Sequence, residues 1–193
     1  MARTRLYLVR HGEHDPASGH APGGGLSALG REQADRVGRR LRKLSFGSVH
    51  HSPLARAAET ADIAGRHFPG TPRHSGDFVA DRTPWPSAKT GYPQRWHGWL
   101  DGVPIDERDR DATALRAAVE HFGVLGDGDR DELLITHNFV IGWFVRHVLD
   151  APDWRWLGLN QANGGITVVQ WESGRPATLI AFNDTGHLDA EDA

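Results

Sequence analysis

The sequence predicts a single three-layer α/β/α domain over residues 1–193, with a mostly parallel sheet and a C-terminal hairpin. Three observations predict it. Short apolar runs alternate with segments of helical periodicity along most of the chain, the order that builds a parallel sheet. The last stretch instead sets two strand-like runs about a turn at Glu172 to Pro176, the pattern of an antiparallel hairpin added to a sheet. At 193 residues with no cysteine, the chain is long enough to bury a core without disulfides or a second domain.

Each element has its own signal. Arg5 to Val9 reads as a short buried strand, and residues 14–25 as a loop rich in glycine and proline. Ser27 opens a helix, its hydroxyl placed to cap the first turn, with Leu29, Ala34, Val37, Leu41 and Leu44 near helical spacing. Phe46 to His50 reads as a second strand. Ser52 followed by Pro53 predicts a second helix, because the hydroxyl satisfies an orphan N–H and proline suits the first helical position; this helix runs to about His67. Pro72 to Val79 gives a third strand, weakened by Gly76 and Asp77. From Ala80 to Arg110, Trp85, Trp96 and Trp99 stand among prolines, glycines and charges, which predicts a long loop packed by its own aromatics over a site. Helical periodicity resumes from Asp111 to Phe122, and Gly126 to Asp131 is a polar turn. Glu132 to Thr136 is a strand, Asn138 to Leu149 a helix closed by Pro152, and Ile166 to Trp171 with Ala177 to Phe182 the hairpin.

Composition excludes several function classes. A net charge of −3 and a pI near 6.4 do not fit a nucleic-acid binder, which presents a basic face. No stretch approaches the roughly 20 apolar residues of a membrane span. The N-terminal residues enter a strand without a targeting segment, so a cytoplasmic protein is expected. The 12 histidines raise the question of a metal. His11 and His14 leave a strand instead of sharing a helical face, and the adjacent His50 and His51 point to opposite sides of theirs, so no metal and no cofactor are expected. Oligomeric state has no sequence signal.

The chemistry starts at Leu6 to Gly12, L-Y-L-V-R-H-G, where an apolar strand ends on a cation, an imidazole and a flexible residue. Ligands bind beyond the carboxyl ends of strands in open α/β sheets. His11, Arg56 and His137 each fall at or just past a strand-to-helix transition, and such transitions converge on one sheet edge, where helix N-termini favour an anion. Arg10 and Arg56 supply planar forks that match two phosphate oxygens at once. His137 reads equally as a site residue or as a cap of its helix.

Four segments carry a resemblance: L-V-R-H-G-E at Leu8 to Glu13, L-S-A-L-G-R-E-Q-A at Leu26 to Ala34, S-P-L-A-R-A-A-E-T-A at Ser52 to Ala61, and T-H-N at Thr136 to Asn138. In this order and spacing the chain resembles the phosphatase branch of the histidine phosphatase superfamily, with its phosphoglycerate mutase-like fold. The resemblance implies a metal-independent phosphomonoesterase in which His11 becomes a transient phosphohistidine, with Arg10, Arg56 and His137 around the phosphoryl group. The implied substrate is a phosphorylated small molecule, with a phosphoprotein left open. A carboxylic acid after the third strand serves that family as general acid and base. Asp81 is the choice here, in place of the common Glu, with Asp77, Glu13, Asp101 and Glu107 as competitors. Asn138 donates to phosphate from its helix start or merely caps it. His14 stands where many members have Ser and reads as a solvated loop residue. A phosphoglycerate mutase-type transfer and a catalytically silent phospho-ligand binder are the alternative functions.

Overall fold

The computed structural model describes residues 2–18 and 23–188. Residues 19–22 of the expected 14–25 loop, and residues 1 and 189–193 of the expected domain, lie outside the described residues. One six-stranded mixed sheet carries the molecule. It comprises β1 (Arg3–Arg10), β2 (Val49–His51), β3 (Arg73–Ser75), β6 (Arg130–Thr136), β7 (Ile166–Glu172) and β8 (Thr178–Asp184), in the order β3-β2-β6-β1-β7-β8. The first four strands of that order are parallel, and β7 and β8 close one edge as an antiparallel hairpin. A separate parallel pair joins β4 (Thr83–Trp85) to β5 (Arg108–Arg110).

Helices cover both faces because the central strands are apolar on both. Tyr7 and Val9 of β1 and Leu133 and Ile135 of β6 face one core, packed by Val37 and Leu41 of α1 (Ala28–Leu41) and Ala57 and Ala61 of α2 (Ala55–Gly65). The alternate residues Leu6, Leu8 and Leu134 face the opposite core. There they meet Leu115 and Phe122 of α4 (Thr113–Gly123) and Val140 and Phe144 of α5 (Asn138–Val148). Strand periodicity of two assigns every side chain to a layer. Each fully buried Leu or Phe contributes about 1.5–3 kcal/mol.

Several expectations are corrected. The second strand begins three residues late, because Phe46 stays outside the sheet and packs its ring on Tyr7 and Phe68 at 5.4 and 5.2 Å. The third strand is short, Arg73–Ser75, and Gly76 turns the chain into a single 3-10 turn over Asp77–Val79. Ser52 is not the cap of α2: that helix starts at Ala55 behind Leu54, with no side-chain cap, and ends at Gly65. Ser27 does cap α1, its hydroxyl accepting from Gly30 N at 3.0 Å. Residues 80–110 are more ordered than a loop, holding β4, β5 and the short α3 (His97–Asp101). Trp85 donates to Leu100 O at 3.0 Å, and Trp99 packs on Phe139 and Trp156. Trp85 also lines a cavity of about 310 Å³ with Tyr92, Trp143 and Trp154, which shares no residue with the cluster described next.

Candidate active site

Three adjacent parallel strands, β2, β6 and β1, end at one edge of the sheet, and each hands a functional residue to that edge. His11 follows β1, with its N–H on Thr136 O at 3.0 Å; Ser52 follows β2, with its N–H on Ile135 O at 3.0 Å; His137 follows β6 and opens α5. Arg56 comes from the first turn of α2. The parallel register therefore gathers residues up to 126 positions apart.

His11 is almost fully buried, at 5% exposure. Its Nδ1 lies 2.7 Å from Gly12 O. A carbonyl only accepts, so Nδ1 carries the proton and Nε2 presents its lone pair. Arg56 Nε donates to that Nε2 at 3.2 Å. Burial holds the His11 pKa down at about 3, with His137 and then Arg56 and Arg10 adding repulsion. The imidazole is a neutral base at neutral pH, and desolvation is a larger cause than the nearby arginines.

His137 is 1% exposed, its ring centroid 5.0 Å from that of His11. It provides no side-chain cap to α5. Its Nε2 meets Ser52 Oγ at 2.8 Å, and the same hydroxyl accepts from Leu54 N at 3.3 Å. The hydroxyl proton is thus free to go to Nε2, which leaves the His137 proton on Nδ1, 3.4 Å from Asp81 Oδ2. Burial, then Arg56 and Arg10, push the His137 pKa well below its ordinary value.

Asp81 is drawn into the cluster by Arg56, whose Nη2 donates to Asp81 Oδ2 at 2.6 Å, while the side chain keeps 36% exposure to solvent. Its competitors lie elsewhere. Asp77 and Glu107 are exposed like Asp81 but lack its contacts to Arg56 and His137, Glu13 accepts from Ser27 Oγ at 2.7 Å, and Asp101 pairs with Lys89. Arg10 donates through Nη1 to Gln161 O, and burial lowers its pKa. Two buried nitrogens of the cluster, Arg10 Nε and His137 Nδ1, have no hydrogen-bond partner among the described residues. Unpaired buried donors are costly, and an anion's oxygens satisfy them.

Asn138 does not turn its amide to this cluster. Its Oδ1 accepts from Gln161 N at 2.9 Å and its Nδ2 donates to Asn160 at 3.1 Å, so it braces the loop that receives Arg10. His14 is half-buried, and its backbone forms an isolated antiparallel bridge to Leu26. Sequence reasoning missed Ser52 as the partner of His137, and the loop 160–165 altogether. The signal available for it is the pair Gly164 and Gly165, where glycine marks a close backbone approach.

Residues 6–185 match the profile of the histidine phosphatase superfamily (branch 1). The chain belongs to that superfamily. A superfamily relative, serine/threonine-protein phosphatase PGAM5, mitochondrial, of Rattus norvegicus, is 32% identical over 193 residues, covering 97% of this chain. The chain spans 65% of that relative's length. Probable phosphoglycerate mutase GpmB of Citrobacter koseri is 28% identical, over 96% of this chain and 95% of its own. Among solved structures, a putative alpha-ribazole-5'-P phosphatase from Escherichia coli superposes with a TM-score of 0.72 at 21% identity, over 94% of this chain and 96% of the other, which shows the shared histidine phosphatase fold. Among the described residues of this superfamily member, no helix is long and apolar enough to cross a membrane. Nor is any group of three or more His, Asp or Glu arranged to hold a metal ion.

Proposed function

We propose that the chain is a phosphomonoesterase working through a phosphohistidine on His11. The observation that carries this is the His11 ring: Nδ1 locked on Gly12 O, and a neutral Nε2 turned toward Arg56. In the first step His11 Nε2 bonds to phosphorus as the ester P–O bond breaks, and Asp81 gives its proton to the leaving oxygen. In the second, water bonds to phosphorus as the N–P bond breaks, and Asp81 takes the water's proton. Arg10, Arg56 and His137 hold the equatorial oxygens, where charge must be stabilised.

Asp81 begins as the carboxylate partner of Arg56. A phosphate monoester competing for that guanidinium breaks the ion pair, and the solvent-exposed carboxyl takes up a proton from water before the first step. The solvent exposure of Asp81 favours water as phosphoryl acceptor, since a mutase must exclude it. The substrate class we assign is a phosphorylated small molecule. The rat relative's name makes phosphoserine and phosphothreonine peptides the second class to screen.

The direct test measures inorganic phosphate released from a panel of phosphorylated metabolites and phosphopeptides, with phosphoglycerate isomerisation followed in parallel. Release that vanishes in His11→Ala is expected. Isomerisation without release would make the protein a mutase, and tight binding without either would make it a silent binder. A cytoplasmic location stays part of this proposal, checked by a fluorescent fusion in the native host.

A further inference from the structure

The peptide unit joining His11 to Gly12 is held at both ends by side chains that the reaction above does not use. Its N–H donates to Thr60 Oγ1 at 3.1 Å, and its carbonyl accepts from Asn163 Nδ2 at 2.9 Å. Position 12 has to be glycine, because a Cβ there would lie 2.3 Å from Gly30 O. Glycine gives the chain its widest torsional freedom at the residue whose carbonyl fixes the His11 tautomer.

Each holder is itself anchored. Thr60 is fully buried and donates to Arg56 O at 2.7 Å, so one hydroxyl ties the nucleophile's peptide to the helix turn that carries Arg56. Asn163 sits on a loop gripped from several sides. Gly164 N donates to Arg10 O at 3.0 Å, and His187 Nε2 donates to Gly164 O at 3.0 Å. Ala162 N donates at 2.8 Å to Asn183, which adopts a left-handed φ of 51°. Asn183 Oδ1 lies 2.3 Å from where a Cβ on Gly165 would stand, so a side chain there would displace the amide that holds Ala162.

We infer that Thr60 and Asn163 are positioning residues, which clamp the His11–Gly12 peptide and thereby fix the tautomer and aim of the His11 ring. The inference rests on His11 being the nucleophile for its kinetic consequence, but not for its effect on the ring itself. The variants are Thr60→Val, which removes the hydroxyl at similar size, Asn163→Asp, which replaces the donor by an acceptor, and Thr60→Ser, which restores the hydroxyl. The measurements are the pre-steady-state burst with p-nitrophenyl phosphate and the ring ¹⁵N spectrum of His11, assigned by difference from His11→Gln.

Wild type and Thr60→Ser should show one Nδ1–H tautomer, and Thr60→Val and Asn163→Asp a mixture, with phosphorylation slowed about ten- to a hundred-fold and KM little changed. Folded Thr60→Val and Asn163→Asp proteins with an unmixed tautomer and the wild-type burst would overturn the clamp. Should Thr60→Val fail to fold, Asn163→Asp on the partly exposed loop decides alone. Should wild type release no phosphate, the phosphatase reading falls and the ring spectrum still decides the clamp.

Discussion

Arg56 makes two contacts with different purposes, Nε to the His11 lone pair and Nη2 to Asp81, and only a planar fork makes both at once. Arg56→Lys keeps the charge and loses the fork. Its kcat/KM for p-nitrophenyl phosphate should fall about 10²- to 10³-fold, the usual cost of removing one donor to developing charge. A loss under about threefold would show that charge alone suffices. Arg10, His11, Arg56 and His137 are brought together: Arg10 and His11 end and follow β1 and His137 follows β6, both long apolar strands, while Arg56 lies in the first turn of α2. Asn138 is left open by the sequence for a physical reason: an amide at a helix start bonds equally well to an anion or to a neighbouring loop, and only tertiary structure reveals the loop at Asn160 and Gln161.

At the scale of elements, α4 shows how a boundary is set from a distance. Ala112 precedes it in the left-handed conformation, φ 53°, and supplies no cap. The buried Asp109 of β5 accepts instead from Ala114 N and Leu115 N at 3.0 Å each. Asp109→Ala removes that cap and should cost about 1–2 kcal/mol, seen as a fall of roughly 2–8 °C in Tm. An unchanged Tm would show that solvent replaces the carboxylate. The sequence made α1, α5, β1, β6 and the hairpin legible because their apolar periodicity is long. It misplaced β2, β3 and the start of α2, where three-residue strands leave too few positions for a pattern and Ser52 serves His137 instead of its own helix.

At the scale of the whole molecule, folding buries His11 and His137 as neutral rings, and that couples stability to pH. Burial lowers the His11 pKa from 6.5 to about 3 in the fold, so between those values the unfolded chain binds a proton that the native protein does not. Stability therefore rises with pH through that window and is lost as pH falls from 6.5 toward 3, and His137 acts in the same direction. His11→Asn should lose less Tm than wild type between pH 7 and pH 4, and an equal loss in both would contradict a buried neutral His11. The measurement that tests the central claim most directly is the trapping of the phosphorylated protein from a phosphomonoester by rapid quench, with ³¹P NMR and peptide mapping. Acid-labile phosphate on Nε2 of His11, absent from His11→Ala, is expected; phosphate release that continues in His11→Ala, or a phosphorylated residue other than His11, would contradict covalent catalysis at this ring.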